Sequence, residues 1–361
     1  MITSFTSVGC FGRNMGLARC SIGKRQKTII QGQILMITFN FFEDNATELL
    51  EKMSRYLNRN IEDIEDFLMG TSPDKLTPEV LIETFDLNLN EYNSDQIQVI
   101  GRHMTTSAPE KLQSFRTYGL LGLKESLLCN TPLKVFLDSQ GIELKIDERL
   151  IVIDKKIYPI LDRDESCRQC YKGRSKVCSN YSHCYFMDEI NKLEAKLRYY
   201  QPTLEFFISG TVRQMNRYSS VGRCPEILTN LNAICTELDS SRFPRNELCH
   251  EWIKDNPNCY VLEFPIRWSE MLHFEPIGTV DYYPDYQVIL NGSGYSLEDY
   301  KAKRIPKSIF DNIFFLKKII SVLTDKEAEE YGALVFGKQI TPDELKIYQR
   351  IGAELIPVDD F

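Results

Sequence analysis

The sequence lacks several features that would place it in a familiar class of protein. No run of apolar residues approaches the roughly 18 that a membrane-spanning helix requires, and the N-terminus has no apolar segment of the kind found in secretory signal peptides. Only 4 of the 361 residues are histidine, which argues against a histidine-rich metal centre. The Walker A, GxGxxG, HExxH and GxSxG motifs are also missing. We therefore expect a cytoplasmic protein that does not associate with a membrane.

The chain is acidic. It has 51 Asp and Glu residues and 43 Lys and Arg residues, which gives a formal net charge of −8. The chain as a whole is therefore not a polycation built for nucleic acid, although a local basic groove is compatible with this balance. Residues 1–35 differ from the rest because they contain basic residues and no acidic ones. We expect them to form a basic, disordered extension, and a transit peptide is the alternative.

Residues 36–96 have the pattern of a small helical region. Apolar residues recur at helical spacing from Asn45 to Met69. The pair Thr77-Pro78 places an N-cap residue before a proline at the first helical position, and it predicts a further helix that continues to Phe85. We therefore predict an N-terminal helical region over residues 36–96.

Residues 97–323 alternate short strands with helices and long irregular connections. The predicted strands are Ile97–Ile100, Ile142–Ile146, Leu150–Tyr158, Leu204–Ser209, Tyr260–Ile266 and Tyr286–Leu290. The predicted helices are Glu110–Tyr118, Met187–Tyr199, Glu226–Leu238 and Ile309–Leu323. This order predicts an α+β fold rather than a doubly wound sheet. Capping boxes at Thr324-x-x-Glu327 and Thr341-x-x-Glu344 predict C-terminal helices in residues 324–361.

A cluster of cysteines lies in a polar insert over residues 161–186. Four of the 11 cysteines follow the spacing C-x2-C-x7-C-x5-C, and they are Cys167, Cys170, Cys178 and Cys184. Zinc accepts four thiolates in a tetrahedral arrangement, and a C-x2-C pair supplies two of them from one tight turn. The spacing therefore predicts a structural zinc site in which His183 could replace one cysteine. An iron–sulfur cluster and four unrelated thiols are the alternatives.

The segment Arg102-His103-Met104-Thr105-Thr106-Ser107 is the most suggestive candidate for a catalytic site. It follows a predicted strand and precedes a helix that ends at Tyr118-Gly119-Leu120. This arrangement resembles the first motif of the His–Tyr–Glu group of ADP-ribosyltransferases, which includes bacterial toxins that modify nucleic acids. The resemblance implies a split β-sheet core that binds NAD, with His103 bonded to the ribose. It also implies that Arg102, Thr105 and Thr106 hold the cofactor near the nicotinamide end.

A polar loop after the predicted strand Leu204–Ser209 extends this resemblance. The loop contains Arg213, Arg217 and Tyr218, and a helix opens after it at Pro225-Glu226. An aromatic ring at Tyr218 could stack on the nicotinamide, and either arginine could bind the pyrophosphate of NAD. An ordinary basic loop is the alternative interpretation of the same residues.

The strand Tyr286–Leu290 resembles the late strand on which the family carries its catalytic glutamate, and Ile305-Pro306 follows it. The matching position here is Gln287, whose amide can bond a ribose hydroxyl but cannot carry a negative charge. The chain is therefore expected to be a weak or inactive member of the group, unless a glutamate has been replaced at this position or another acid serves. Asp285, Glu275 and Glu263 are the nearby candidates for that acid.

The resemblance implies a toxin or anti-phage effector that transfers ADP-ribose from NAD to a nucleic acid or protein. An antitoxin or immunity partner would accompany such an effector. Two other hypotheses remain. The first is a non-catalytic, zinc-containing protein that binds nucleic acid or protein, and the second is an enzyme related to the RNA 2′-phosphotransferases, which share the fold and the His-x-Thr start.

Overall fold

The computed structural model describes residues 36–159, 185–194, 204–217, 222–272, 306–325, 330–334 and 338–358. The strands are β1 Ile37–Phe39, β2 Ile97–Ser107, β3 Ile142–Lys145, β4 Leu150–Ile153, β5 Lys156–Pro159, β6 Glu205–Ser209, β7 Asn258–Arg267, β8 Met271–Leu272, β9 Glu330–Leu334, β10 Lys346–Ile351 and β11 Glu354–Pro357. The helices are α1 Ala46–Leu57, α2 Ile61–Gly70, α3 Pro78–Phe85, α4 Gln113–Tyr118, α5 Leu123–Leu128, α6 Pro132–Ser139, α7 Tyr185–Glu194, α8 Val212–Arg217, α9 Glu226–Leu238, α10 Glu247–Asp255 and α11 Lys307–Thr324.

The strands form one large sheet and one small one. The large sheet has the order β11-β10-β7-β2-β6-β9-β8, and its neighbours in this order are antiparallel. The short strand β1 adds to β2 in parallel. Strands β3, β4 and β5 form a separate antiparallel meander. Helices and antiparallel sheets therefore share the described part of the chain, which confirms the predicted α+β class.

One face of the large sheet carries the main hydrophobic core. Helices α1, α2, α3 and α11 pack here with the inward side chains of β2, β6 and β7. Phe315 of α11 lies at the centre of this core, where its ring meets those of Phe39, Tyr56 and Trp268. Because such rings each bury a large apolar area, they hold the N-terminal helices against the sheet.

Buried polar groups fix helix α11 at its place in this core. The hydroxyl of Tyr56 donates to Oδ1 of Asn312 at 2.8 Å, and the indole N–H of Trp268 donates to the carbonyl oxygen of Asp311 at 2.6 Å. The side chain of Asn312 also donates to the carbonyl of Leu89 at 2.9 Å. Burial raises the pKa of Tyr56. These bonds satisfy groups that would otherwise be costly to bury.

A second hydrophobic core lies away from the large sheet. It is formed by α5, α6, α7, α9 and α10 together with the meander β3-β4-β5. Trp252 of α10 belongs to this core, and its indole N–H donates to Oγ1 of Thr106 on β2 at 2.7 Å. The last residue of helix α10 also accepts a hydrogen bond: Nζ of Lys111 donates to the carbonyl of Asp255 at 3.0 Å. The first contact connects the second core to the strand of the candidate site, and the second connects it to the turn that follows this strand.

Most of the local predictions for the described residues are confirmed. The helical pattern from Asn45 to Met69 forms α1 and α2, with a break at Asn58 in the left-handed conformation. Thr77 caps α3, and α9 spans the predicted residues. The helix predicted over Glu110–Tyr118 begins as a 3-10 turn and ends at Gly119, which has φ +71°.

The prediction of C-terminal helices in residues 324–361 is wrong. Strands β9, β10 and β11 occupy this segment instead. The capping box of Thr341 and Glu344 is present, but it caps a single 3-10 turn that leads into β10. A capping box fixes where a helical turn begins, and it does not determine how far the helix extends.

Several predictions fall outside the described residues. They concern the extension over residues 1–35, the strand with Gln287, the aromatic residue Tyr218, and the four cysteines Cys167, Cys170, Cys178 and Cys184. Of the helices in the described ranges, none combines the length and apolar character needed to cross a bilayer. Among the same residues, no group of three or more His, Cys, Asp and Glu side chains is arranged to hold a metal ion.

Candidate active site at strand β2

Strand β2 presents its alternate side chains to two different environments. Ile97 and Val99 face the main core, whereas Met104 belongs to a small third cluster on the opposite face of the sheet. Since successive side chains of a strand point to opposite faces, His103 and Thr105 share the face of the main core. Arg102 and Thr106 lie on the other face. The predicted cofactor-binding residues of this motif are therefore divided by the sheet.

The imidazole of His103 is held at the junction of β2 and β6. The two strands have one paired position, Arg102 with Phe207, and Nδ1 of His103 lies 2.8 Å from the carbonyl oxygen of Glu205, the first residue of β6. A carbonyl oxygen only accepts hydrogen bonds, so Nδ1 carries the proton of the neutral ring and Nε2 carries the lone pair. Burial lowers the pKa of His103. The ring is therefore neutral at neutral pH and offers an acceptor at Nε2.

Thr105 extends the polar row that His103 begins. Its side chain is half-buried, lies on the same face, and stands opposite Tyr260 of β7. Burial raises the pKa of Tyr260, whose ring belongs to the main core. The imidazole acceptor and the Thr105 hydroxyl are two residues apart on one strand, about 6.6 Å along its axis, so they can bond two separate polar groups of one ligand.

Arg102 is occupied by an ionic cluster on the opposite face. Its Nε and Nη2 donate to Oε2 of Glu263 at 2.9 and 2.7 Å, and Nη2 also donates to Oε1 of Glu43 at 2.7 Å. The guanidinium lies 4.3 Å from the ring centre of Phe42. Arg102 and Glu263 are only 7% and 4% exposed. The structure therefore places the charge of Arg102 on the other side of the sheet from His103, where two carboxylates match it, and the role of Arg102 in binding the cofactor stays a prediction.

The same cluster removes Glu263 from the list of substitute acids. Besides Arg102, its Oε1 has Nζ of Lys346 at 3.8 Å and accepts from the hydroxyl of Tyr348 at 3.4 Å. Burial is the main cause that raises the pKa of Tyr348, and Glu263 adds to it. A carboxylate with these partners cannot reach a sugar on the His103 face. Asp285 and Glu275 lie outside the described residues.

Thr106 and helix α8 also belong to the face of Arg102. The hydroxyl of Thr106 accepts from the indole N–H of Trp252 on this face, away from His103, and its role in cofactor binding stays a prediction. The polar loop predicted around Arg213 is in fact helix α8, and Met215 of this helix packs in the third cluster with Met104. Arg213 is exposed, and Arg217 ends the helix. The helix that carries both arginines is therefore separated from His103 by the sheet.

Two surface grooves in the described part of the chain do not involve the His103 row. One, of about 350 Å³, lies between residues 110–114 and α6. The other, of about 420 Å³, lies between α4 and β10. Neither is lined by His103 or Thr105. The candidate site is consequently a polar row on a half-buried strand rather than part of either groove.

Three groups that bond or lie opposite the residues of this motif were not identified from the sequence. They are the carbonyl of Glu205, the ring of Tyr260 and the indole of Trp252. The alternation of side chains along β2 was available as a signal for the division of Arg102 from His103. Which residues of other strands become partners of the motif depends on the register of strand pairing, and the sequence does not specify that register. Comparison with known proteins gives no match among protein-family models, curated proteins or solved structures.

Proposed function

We propose that the chain is an ADP-ribosyltransferase-like protein that binds NAD through the polar row of His103 and Thr105. The observation that carries this proposal is the state of His103: a neutral ring, fixed through Nδ1 to the carbonyl of Glu205, with an acceptor at Nε2. Such an acceptor can receive a hydrogen bond from a ribose hydroxyl, and Thr105 can donate or accept beside it. The finer fold, a split β-sheet core, belongs to this proposal as the family resemblance implies it.

The chemistry of this reaction makes two demands on a site. Breaking the bond between nicotinamide and ribose develops positive charge on the sugar, so the sugar must be oriented and the charge stabilised. His103 and Thr105 suit the first demand. The second requires a carboxylate, and the family position holds Gln287 while Glu263 is bound to Arg102. The second candidate function is therefore NAD binding with weak or no turnover. It is favoured because neither of these two positions supplies a carboxylate to the sugar.

The remaining parts of the proposal concern metal and partners. The spacing of Cys167, Cys170, Cys178 and Cys184 supports one structural zinc ion, which would cross-link the insert without taking part in catalysis. A nucleic acid or a protein would be the acceptor of ADP-ribose, and an antitoxin or immunity protein would be the natural regulator of such a toxin or anti-phage effector. Metal analysis of the purified protein tests the zinc directly, and neither zinc nor iron should be found if the spacing misleads.

The enzymatic part of the proposal is tested by restoring the missing carboxylate. Gln287→Glu should create or increase the transfer of labelled ADP-ribose from NAD to mixed nucleic acid or protein acceptors, because a charged oxygen stabilises the developing sugar cation. His103→Ala in the same background should abolish that gain. Transfer that persists undiminished in the double variant would exclude His103 from the site and overturn the proposal.

A matched pair of substitutions separates the two nitrogens of His103. In His103→Asn, the amide N–H can replace Nδ1 as the donor to Glu205, but nothing replaces Nε2. In His103→Gln, the longer side chain brings a polar group near the position of Nε2. The proposal expects NAD affinity to fall by about tenfold in His103→Asn, the equivalent of about 1.4 kcal/mol, and to fall less in His103→Gln. The reverse order would show that the histidine has a structural role only.

A further inference from the structure

Two buried thiols of the second core share one hydrogen-bonding partner. Sγ of Cys224 lies 3.8 Å from Oγ1 of Thr229, and the same oxygen lies 3.7 Å from Sγ of Cys249. Both thiols are reduced, and both side chains are buried, with Cys249 9% exposed. Thr229 is an exposed residue of α9, so the pair lies beside a surface position of that helix. The proposed ADP-ribosyltransferase chemistry does not use this pair.

Both thiols lie at the beginning of a helix. Cys224 directly precedes Pro225, the N-cap of α9, and Cys249 lies in the first turn of α10, whose N-cap is Asn246. The first turn of a helix has unsatisfied N–H groups and the positive end of the helix dipole, which favour a negative sulfur. Neighbouring thiols add to this, because a protonated thiol can donate a hydrogen bond to its ionised neighbour.

The two thiols differ in their surroundings. The pKa of Cys249 is raised, first by its hydrogen bond with Cys224 and then by burial. Cys249 therefore suits the role of the thiol that keeps its proton, and Cys224 is left for the role of the nucleophile. Such a division between a nucleophilic thiol and a resolving thiol is typical of pairs that form disulfides reversibly.

We propose that Cys224 and Cys249 form a redox-active dithiol that closes to a disulfide when it meets a peroxide. The thiolate of Cys224 attacks one peroxide oxygen, which forms a sulfenic acid and releases the second oxygen as hydroxide that becomes water. The sulfur of Cys249 then attacks the sulfenic sulfur, the S–S bond forms, and a second water leaves with the proton of Cys249. The two thiols lose two electrons in total, and the peroxide gains them. A small-molecule dithiol reduces the disulfide back to the two thiols and is itself oxidised to a disulfide.

The disulfide would tie α9 to α10 and act on the strand of the candidate site. Cys249 lies one turn before Trp252, the residue that donates to Thr106 on β2. Cross-linking residues 224 and 249 closes a loop that contains all of α9 and the first turn of α10, and it restricts the unfolded chain. The oxidised protein should therefore be more resistant to unfolding than the reduced protein.

The test uses the full-length protein treated with hydrogen peroxide, followed by alkylation and peptide mapping without reduction. The peptide pair joined through Cys224 and Cys249 should appear at least about tenfold faster than any modification of Cys235. Cys235 is a fitting internal control because it lies on the same helix α9 and burial raises its pKa to about 12. Absence of the joined pair after Cys129, a half-buried thiol, has been oxidised would overturn the proposal.

Single substitutions give an independent check. In Cys249→Ser, a sulfenic acid at Cys224 should accumulate and react with a dione probe. In Cys224→Ser, the remaining thiol should be unreactive at neutral pH. Peroxide should raise the melting temperature of the unaltered protein by a few degrees, reversibly with dithiothreitol, and should have no such effect in Cys249→Ser. A cross-link from either thiol to another cysteine, or an equal thermal shift in Cys249→Ser, would contradict the proposal.

Discussion

The two faces of strand β2 use the same few residues in opposite ways. On one face, Arg102 is enclosed by two carboxylates and an aromatic ring, and Thr106 accepts a buried indole N–H. On the other face, His103 uses one ring nitrogen for a backbone carbonyl and keeps an acceptor at the other. The first face has its polar groups satisfied within the protein. Among the residues that the structure describes, the second face has hydrogen-bonding capacity left for a ligand.

This difference separates residues that stabilise the site from residues that can contact a substrate. A side chain whose hydrogen-bonding capacity is filled by neighbours contributes to the free energy of folding and to the position of the strand. A side chain held by one atom, with another atom available, is preorganised for binding. Adjacent residues in one motif thus acquire separate roles because a strand alternates its side chains.

The largest expected effect comes from breaking the ionic cluster on the Arg102 face. Glu263→Gln should lower the free energy of unfolding by about 3 kcal/mol, because it leaves a buried guanidinium without its main counter-charge. Denaturant unfolding followed by fluorescence measures this loss. Glu43→Gln is the matched control. Since Glu43 is 62% exposed, its loss should cost less than about 1 kcal/mol.

A double substitution sharpens that comparison. Arg102→Met combined with Glu263→Leu should recover much of the loss, since both charges are then removed from the interior. NAD binding should change little, provided that the strand stays in place. A stable Arg102→Met variant with strongly weakened NAD binding would break the comparison, because it would return Arg102 to the cofactor site.

An intermediate effect is expected from the two adjacent threonines. Thr106→Val should lower the free energy of unfolding by about 1–3 kcal/mol, because the indole of Trp252 loses its acceptor in a buried position. Thr105→Val should change it by less than about 0.5 kcal/mol and should instead weaken NAD binding. Thermal unfolding and NAD titration of the two variants side by side measure the contrast. Equal effects of both on stability would remove the distinction between the faces.

The smallest expected effect is a pH dependence from His103. Burial lowers its pKa in the folded protein below the ordinary value of 6.5. The stability gained from the neutral ring is therefore fully present above about pH 6.5 and is lost as the pH falls through the folded pKa. Between about pH 7.5 and about pH 5.5, unfolding measurements should show a smaller drop for His103→Asn than for the unaltered protein. If stability dropped as much in His103→Asn as in the unaltered protein, the pH dependence would come from other groups.

Local signals in the sequence were sufficient for much of the secondary structure. The cap at Asn45, the Thr77-Pro78 pair and the apolar face of Glu226–Leu238 each depend on neighbours within one or two turns, and the helices form as predicted. The C-terminal residues were mistaken for helix because the capping box at Thr341 is equally local. Strand β10 forms there because it pairs with β7, and the sequence near Thr341 contains no sign of that partner.

The candidate site was only partly predictable for the same reason. The pattern around His103 marks a strand and a polar motif, but the carbonyl of Glu205 that fixes the imidazole lies on another strand 102 residues away. The partnership of Arg102 with Glu263 likewise depends on the register between β2 and β7. Such contacts are set by the packing of the whole sheet, so sequence patterns identify the residues without identifying their partners.

The central claim, that His103 presents an acceptor at Nε2 for NAD, is tested most directly by nitrogen magnetic resonance of labelled histidine. The chain has 4 histidines, so His103→Asn assigns the signal by its disappearance. The account predicts a neutral ring protonated at Nδ1, with an unprotonated Nε2 whose resonance shifts when NAD is added while that of Nδ1 stays nearly constant. A ring protonated at Nε2, or an Nε2 resonance that saturating NAD does not move, would contradict it.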